Sequence, residues 1–227
     1  MSEITDGAFN RCKNIDEAWE SWYNVLRNMK LNNTSRDGDI RGEVLNAVTI
    51  IEDPTRNILK SKVRNLSMRY AIGEMLWYMS GSNSLKEIQK YTTGWDRMSD
   101  DGKTVNSNYG YCIKHKFGFD QWDFVYSELS NNPNSRRAVI HIKDAETRES
   151  KDVNCTVCLQ FFIRDNKLYL TTYMRSNDIW MGFPYDVFQF TNMQILMSMQ
   201  LEVGLGTYTH IVGSLHLYER DVKESIK

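Results

Sequence analysis

Several things are missing from this chain of 227 residues, and each absence narrows what it can be. No apolar run reaches the roughly 18 residues that cross a bilayer, so no membrane partner is expected. Neither sign of charge dominates. Lys and Arg number 28 against 29 Asp and Glu, a net charge of -1, which gives no electrostatic reason to expect binding to bulk nucleic acid. A local cluster of arginines can still hold a single nucleotide. The 4 cysteines, Cys12, Cys112, Cys155 and Cys158, are too few and too scattered for a disulfide scaffold, which suits a reducing cytosol. Cys155 and Cys158 have C-x-x-C spacing, but there is no second such pair and the spacing falls inside a strand pattern. A zinc or redox reading is therefore discounted and no metal is expected. The N-terminal MSEITDGAF is polar and acidic rather than apolar, unlike a signal peptide, so a cytoplasmic location is expected. No repeat, low-complexity tract or interdomain linker interrupts the chain. Residues 1–227 read as a single domain with a sizeable core, and 41% apolar with 25% charged residues is an ordinary globular balance.

What is present is a succession of helix and strand signals. Ala18, Trp19, Trp22, Val25, Leu26 and Met29 recur at helical spacing, so Ile15–Met29 reads as a packing helix with Asp16 and Glu17 in its first turn. The polar Leu31–Gly42 reads as a loop, and Glu43–Glu52 as a strand stopped by Asp53-Pro54. Lys62–Met79 reads as a long helix with Leu66, Tyr70, Ile72, Met75, Leu76 and Met79 inward. Ser84 caps a short helix after it. Trp95–Tyr111 is a polar loop carrying aromatics, the kind of segment that holds ligands. Asp120–Leu129 is an amphipathic helix, and Ala138–Ile142 a strand opened by Arg136-Arg137. Val187–Val203 is a Met-rich helix whose methionines read as core. Thr207–Gly213 is a strand, after which His216-x-Tyr218 places two side chains on one face.

The chemistry-bearing residues gather between Cys155 and Asp186. Two alternating runs, Val157–Ile163 and Leu168–Tyr173, flank the polar Arg164-Asp165-Asn166-Lys167, a hairpin signal. A thiol stands at one end, and the dense cluster Arg175-Ser176-Asn177-Asp178 at the other, with Gly182 and Pro184 breaking the chain before Asp186. A nucleophile, a fixed cation and two carboxylates on strand ends define a candidate site. Two further features stay open on the residues alone. Glu74 lies on an apolar helix face, where a carboxylate either edges toward water or does work, because burying it unpaired is costly. Arg136-Arg137 is either a charged strand end or a ligand contact, and Arg36 in a polar loop is by itself ordinary.

Taken together, these residues resemble the thymidylate synthase family. Cys155, Gln160-Phe161, Arg175-Ser176, Asp178, Gly182, Pro184 and Tyr185 match its C-H-x-x-x-Q-F and R-S-x-D-x-x-x-G-x-P-[FY]-N pattern at the same spacing. Glu74-Met75-Leu76-Trp77, Trp95-Asp96, Asn108-Tyr109-Gly110 and Pro133-Asn134-Ser135-Arg136-Arg137 match others, so the resemblance runs from about Arg36 to Tyr218. Thr156 departs from the family's usual His. Asp186 departs from its Asn, which is the mark of the deoxycytidylate hydroxymethylase branch.

The resemblance implies an α+β fold of the thymidylate synthase type, a twisted mixed sheet covered by helices. It implies a homodimer with a shared active site, in a bacterium or a phage-infected cell. Cys155 is the implied nucleophile at C6 of a pyrimidine nucleotide, with Glu74 and Tyr109 organising water and proton transfers. Arg175 is implied to activate Cys155. It would also share the phosphate with Arg36 and with the partner subunit's Arg136 and the partner subunit's Arg137. Gln160, Ser176, His216 and Tyr218 complete the implied nucleotide site. The implied co-substrate is 5,10-methylenetetrahydrofolate, at Trp95, Asp178 and Gly182. Asp186 decides the base. Uracil presents an N3–H donor and an O4 acceptor, which an Asn amide matches; cytosine presents an N4 donor and a bare N3 acceptor. A carboxylate accepts from N4 and needs one proton shared with N3, which also draws electrons from the ring. The expected reaction is therefore hydroxymethylation of dCMP. Methylation (thymidylate synthase or a dCMP methylase), hydroxymethylation of CMP, and an inactive pyrimidine-nucleotide or RNA-binding protein are the alternatives.

Overall fold

A computed structural model describes residues 5–30, 33–35, 37–145 and 149–222. In chain order the elements are β1 (Thr5–Cys12), α1 (Ile15–Asn28), β2 (Asn33–Ser35), β3 (Gly38–Ile51), α2 (Met68–Ser80), α3 (Leu85–Ile88), α4 (Tyr109–Tyr111), α5 (Gln121–Asn131), β4 (Val139–His141), β5 (Thr156–Arg164), β6 (Lys167–Met174), β7 (Asn177–Asp178), α6 (Phe183–Gln200) and β8 (Gly204–Tyr218). The chain forms two compact units, Met1–Leu66 with Lys167–Lys227, and Ser67–Asn166.

The first unit is built on a mixed sheet. β1 runs parallel to β3, with Ala8 opposite Ala47. β8 pairs antiparallel with β3, setting Val48 opposite Ile211. β6 lies parallel to β8, with Thr172 opposite His210, and β7 continues that edge, with Asp178 opposite His216. α1 packs on β3, and α6 on β6 and β8. Asn14 caps α1 by accepting from the Glu17 amide at 3.1 Å. Trp19 and Tyr23 stack at 4.8 Å, and the Trp22 indole donates to Thr49 Oγ1 at 2.8 Å, tying the helix to the sheet.

The segment expected to be a loop, Leu31–Gly42, instead supplies β2 and the start of β3, paired antiparallel with Thr34 opposite Asp39. Gly38–Arg41 holds no buried residue, and burial begins only at Gly42, so the stretch lacks the alternation that marks a half-buried strand. Arg36 lies outside the described residues.

In the second unit α2 begins at Met68, not Lys62. Ser67 is its N-cap, accepting from the Tyr70 amide at 3.3 Å, and Gly81 ends it in the left-handed region at φ 72°. Its buried face is also different from expectation. Ala71, Gly73, Glu74, Trp77 and Tyr78 are buried, whereas Ile72, Leu76 and Met79 are 50%, 56% and 43% exposed. The helix is rotated so that its small residue meets an aromatic: a Cβ at position 73 would lie 2.2 Å from the Tyr91 ring. β4 and β5 pair antiparallel with Ile140 opposite Leu159. Asp120 caps α5 at the Trp122 amide, 2.8 Å away. Gln121 exchanges hydrogen bonds with the backbone of His141, 2.8 Å each way, fixing α5 to β4. Asp165 and Asn166, at φ 50° and 55°, form the left-handed two-residue turn after β5 that the hairpin signal predicts. Among the described residues no helix is long and apolar enough to cross a membrane.

Candidate active site

The second unit carries the thiol together with Glu74, Trp95 and Tyr109. Cys155 lies immediately before β5 and is half-buried. The chain leading to it is anchored on both sides. The Asp152 carboxylate accepts from the Ser107 amide at 2.7 Å, and the buried Asn154 side chain donates to Cys112 Sγ at 3.7 Å. Asp100 accepts from the Ser150 hydroxyl at 2.5 Å and the Lys151 amide at 2.9 Å, which holds the same segment against the Trp95–Tyr111 loop. Burial pushes the Cys112 thiol up to about 11 and raises that of Cys158. Cys12 is also pushed up to about 11, by burial first and then by Glu17 and Glu52. These three are poor sources of thiolate at neutral pH.

Glu74 is buried at 4% exposure and does not edge toward water. It accepts from the Tyr70 hydroxyl, which in turn accepts from the Trp95 indole at 3.1 Å. Trp95 stands edge-on to Trp77 at 5.7 Å. Tyr109 packs against Tyr78 at 5.1 Å. That approach requires Gly110, because a Cβ there would sit 1.9 Å from the Tyr78 carbonyl oxygen. A π-helical turn, Cys112–Lys116, follows α4 directly. The structure thus joins Glu74 and Trp95 through Tyr70, which sequence reasoning had assigned to the core.

Arg136 and Arg137 are exposed and precede β4 rather than lying in it. Their backbone is held locally. The Gln160 side chain donates to the Arg136 carbonyl at 3.0 Å, and Ser135 Oγ accepts from the Arg137 amide at 3.0 Å. Gln160 therefore spends a side-chain donor on carrying this arginine pair.

The first unit carries the second set. Asp186 sits in the first turn of α6, where the helix dipole favours a carboxylate. Its Oδ2 accepts from Asn177 Nδ2 at 2.8 Å. Gly182 makes that approach possible: a Cβ there would lie 2.7 Å from Asn177 Nδ2 and 3.2 Å from Asp186 Oδ2. Asp178 Oδ1 accepts from the amides of Trp180 and Met181 at 2.8 and 3.2 Å, shaping the turn into α6. Arg64, missed by sequence reasoning, is buried and donates from Nε to the Trp180 carbonyl at 2.6 Å. Its guanidinium lies over the Trp180 and Tyr185 rings at 5.6 and 5.5 Å. Arg175 is exposed at the end of β6, and its carbonyl accepts from the Ser214 amide at 3.2 Å. Ser176 follows it, half-buried. His216 and Tyr218 do share a face, with ring centroids 5.0 Å apart, and Ser35 donates to the Tyr218 hydroxyl at 3.4 Å. Among the described residues no group of His, Cys, Asp and Glu side chains could hold a metal ion.

A mixed sheet flanked by helices, a thiol before one strand and a carboxylate opening the long helix define a class, and comparison with known proteins says which. A profile of thymidylate synthase matches residues 23–227, and the chain belongs to the thymidylate synthase family. The deoxyuridylate hydroxymethyltransferase of Bacillus phage SP01 is 29% identical over 213 residues, 84% of this chain and 56% of that protein. The thymidylate synthase of Bacillus atrophaeus is 28% identical over 168 residues, 70% of this chain and 74% of that one. The chain thus spans little more than half the length of the phage relative. Among solved structures, thermostable thymidylate synthase A from Bacillus subtilis superposes with a TM-score of 0.68 at 25% identity, covering 79% of this chain and 67% of that chain. Thymidylate synthase from T4 phage shares the fold, with a TM-score of 0.75 at 19% identity over 90% of this chain and 77% of that one. The α+β fold expected from the sequence is therefore the fold found.

Proposed function

We propose that this chain transfers a one-carbon unit to C5 of a pyrimidine nucleotide, and that it is a deoxycytidylate 5-hydroxymethylase. The observation that carries the cytosine assignment is Asp186 Oδ2 accepting from Asn177, at the head of α6 where the family's base-reading Asn stands. The hydroxymethyl outcome is supported by a relative named as a hydroxymethyltransferase, although that protein's name specifies deoxyuridylate.

In this reading the Cys155 thiolate adds to C6 of the ring, making C5 nucleophilic. Asp186 accepts from the N4 amino group and shares one proton with N3, which draws charge from C6 as the bond forms. 5,10-methylenetetrahydrofolate supplies the one-carbon unit, and the Trp95–Trp77 pair offers an aromatic wall of the kind a pterin needs. Glu74, hydrogen-bonded through Tyr70, manages protons and water. C5 attacks the methylene carbon of the donor as one of its C–N bonds opens; loss of the C5 proton then cleaves the other C–N bond, releasing tetrahydrofolate and leaving an exocyclic methylene on C5. Water adds to that methylene, proton loss at the adding oxygen gives the hydroxymethyl group, and expulsion of the Cys155 thiolate restores the ring. Arg175, Arg36 and the partner subunit's Arg136 and the partner subunit's Arg137 would hold the phosphate in a homodimer, placed in the cytoplasm. The test is product analysis by mass spectrometry with dCMP, dUMP and CMP, each with methylenetetrahydrofolate. The expected product is 5-hydroxymethyl-dCMP. A methylated product, or turnover of dUMP alone, overturns the proposal.

A further inference from the structure

A buried chain of polar side chains in the first unit ends on Asp186. Thr172 Oγ1 and the Tyr208 hydroxyl lie 2.8 Å apart, and Tyr208 is 2.7 Å from His210 Nδ1. Thr172 is also 3.1 Å from that nitrogen. His210 Nε2 is 3.1 Å from Asn177 Oδ1, and Asn177 Nδ2 is 2.8 Å from Asp186 Oδ2. Thr172 and His210 are opposite each other in the β6–β8 register, and both are fully buried.

The direction of the chain follows from its end. A carboxylate in the first turn of a helix only accepts, so the Asn177 amide must present its nitrogen to Asp186 and its oxygen to His210. The oxygen needs a donor, so His210 carries its proton on Nε2. Nδ1 is then an acceptor, filled by the Tyr208 hydroxyl, whose own oxygen can accept from Thr172. Every member points the same way, toward Asp186. Burial also pushes the imidazole down to about 3, in keeping with a neutral ring.

We propose that Asn177 and His210 are positioning residues for Asp186: the directed chain commits Oδ2 as an acceptor, so the proton shared with the base is carried on Oδ1. Asn177 thereby sets which carboxyl oxygen faces N3 of cytosine, and His210 sets which way Asn177 faces. Gly182 belongs to the same device, since any side chain there would intrude on the Asn177–Asp186 contact. This rests on the reading of Asp186 as the residue that recognises the base.

Two measurements test it. Nitrogen-15 NMR of histidine-labelled protein, with the His210 signal assigned by His210→Phe, reads the tautomer without any nucleotide. The expected result at pH 7 is a neutral ring protonated on Nε2; a ring protonated on Nδ1, or on both nitrogens, overturns the direction of the chain. The second measurement is kcat/KM, on whichever of dCMP and dUMP wild type prefers, for Asn177→Ala and the isosteric Asn177→Asp. Asn177→Asp keeps the shape but replaces the donor with a second acceptor. It should lose about ten- to a hundredfold, mostly in kcat, with Asn177→Ala losing about tenfold. Wild-type values in both folded variants overturn the positioning role. If either variant fails to fold, the wild-type tautomer still decides the direction. A wild-type preference for dUMP counts against the cytosine assignment alone.

Discussion

The Tyr70 hydroxyl donates to the Glu74 carboxylate one turn further along α2, and accepts from the Trp95 indole at 3.1 Å. This places one phenol between the carboxylate assigned to proton handling and the aromatic wall assigned to the co-substrate. Tyr70→Phe removes both hydrogen bonds while keeping the ring. The expected outcome is a kcat lowered about tenfold or more, with KM for the nucleotide within about threefold and a stability loss of about 1–3 kcal/mol. Steady-state kinetics and urea melts check it, and an unchanged kcat would remove Tyr70 from the account.

Cys155→Ser should abolish turnover and leave dCMP binding within about tenfold, because the phosphate and base contacts persist. Cys158→Ser should change kcat/KM by less than about twofold. Burial keeps the Cys158 thiol protonated, and it lies three positions further on, beyond the start of β5. Titration of dCMP into each variant, alongside turnover, separates the two cysteines.

The residues that carry chemistry were legible because they come in spaced motifs; their supports were not. Asn177 stands out in its motif, but Thr172, Tyr208 and His210 read as ordinary polar strand residues. Only the parallel register of β6 on β8 brings them together. α1 was readable from its apolar spacing. The face of α2 is not legible in the same way: apolar spacing points Ile72, Leu76 and Met79 inward, whereas the helix buries Gly73 against Tyr91 and Glu74 against its hydroxyl partner. A glycine at position 213 predicts the end of the C-terminal strand, yet β8 continues to Tyr218. Gly213 lies within β8, and a Cβ there would lie 2.9 Å from the Arg175 carbonyl oxygen, so this glycine marks a close approach and not an end.

His210 predicts a specific loss of stability in acid. Its folded value is about 3 against an ordinary 6.5, so the unfolded chain binds the extra proton first. The contribution is intact above about pH 6.5 and declines as pH falls, by about 1.4 kcal/mol per pH unit. Between pH 7 and pH 5 wild type should lose about 2 kcal/mol more than His210→Phe, measured by denaturant unfolding at both pH values. Equal losses would mean that His210 is protonated in the folded state.

A shared active site predicts complementation. An Arg136→Ala/Arg137→Ala chain and a Cys155→Ser chain should each be inactive alone. After verified subunit exchange, part of the wild-type activity should return, because some sites then draw their arginines and thiol from intact copies. Mixtures that exchange subunits and stay inactive would show that each site is complete within one chain.

The central claim is that Asp186 selects cytosine. A base whose edge mismatches Asp186 leaves a buried polar group unsatisfied, worth about 1–3 kcal/mol or roughly ten- to a hundredfold in specificity. The most direct measurement is kcat/KM for dCMP and dUMP in wild type and Asp186→Asn across pH. Wild type should prefer dCMP, and Asp186→Asn should gain dUMP use and lose dCMP use. The change in kcat/KM should exceed the change in binding, since the shared proton also activates C6. A wild type that already prefers dUMP, or a substitution that leaves the ratio of the two nucleotides unchanged, would contradict the account.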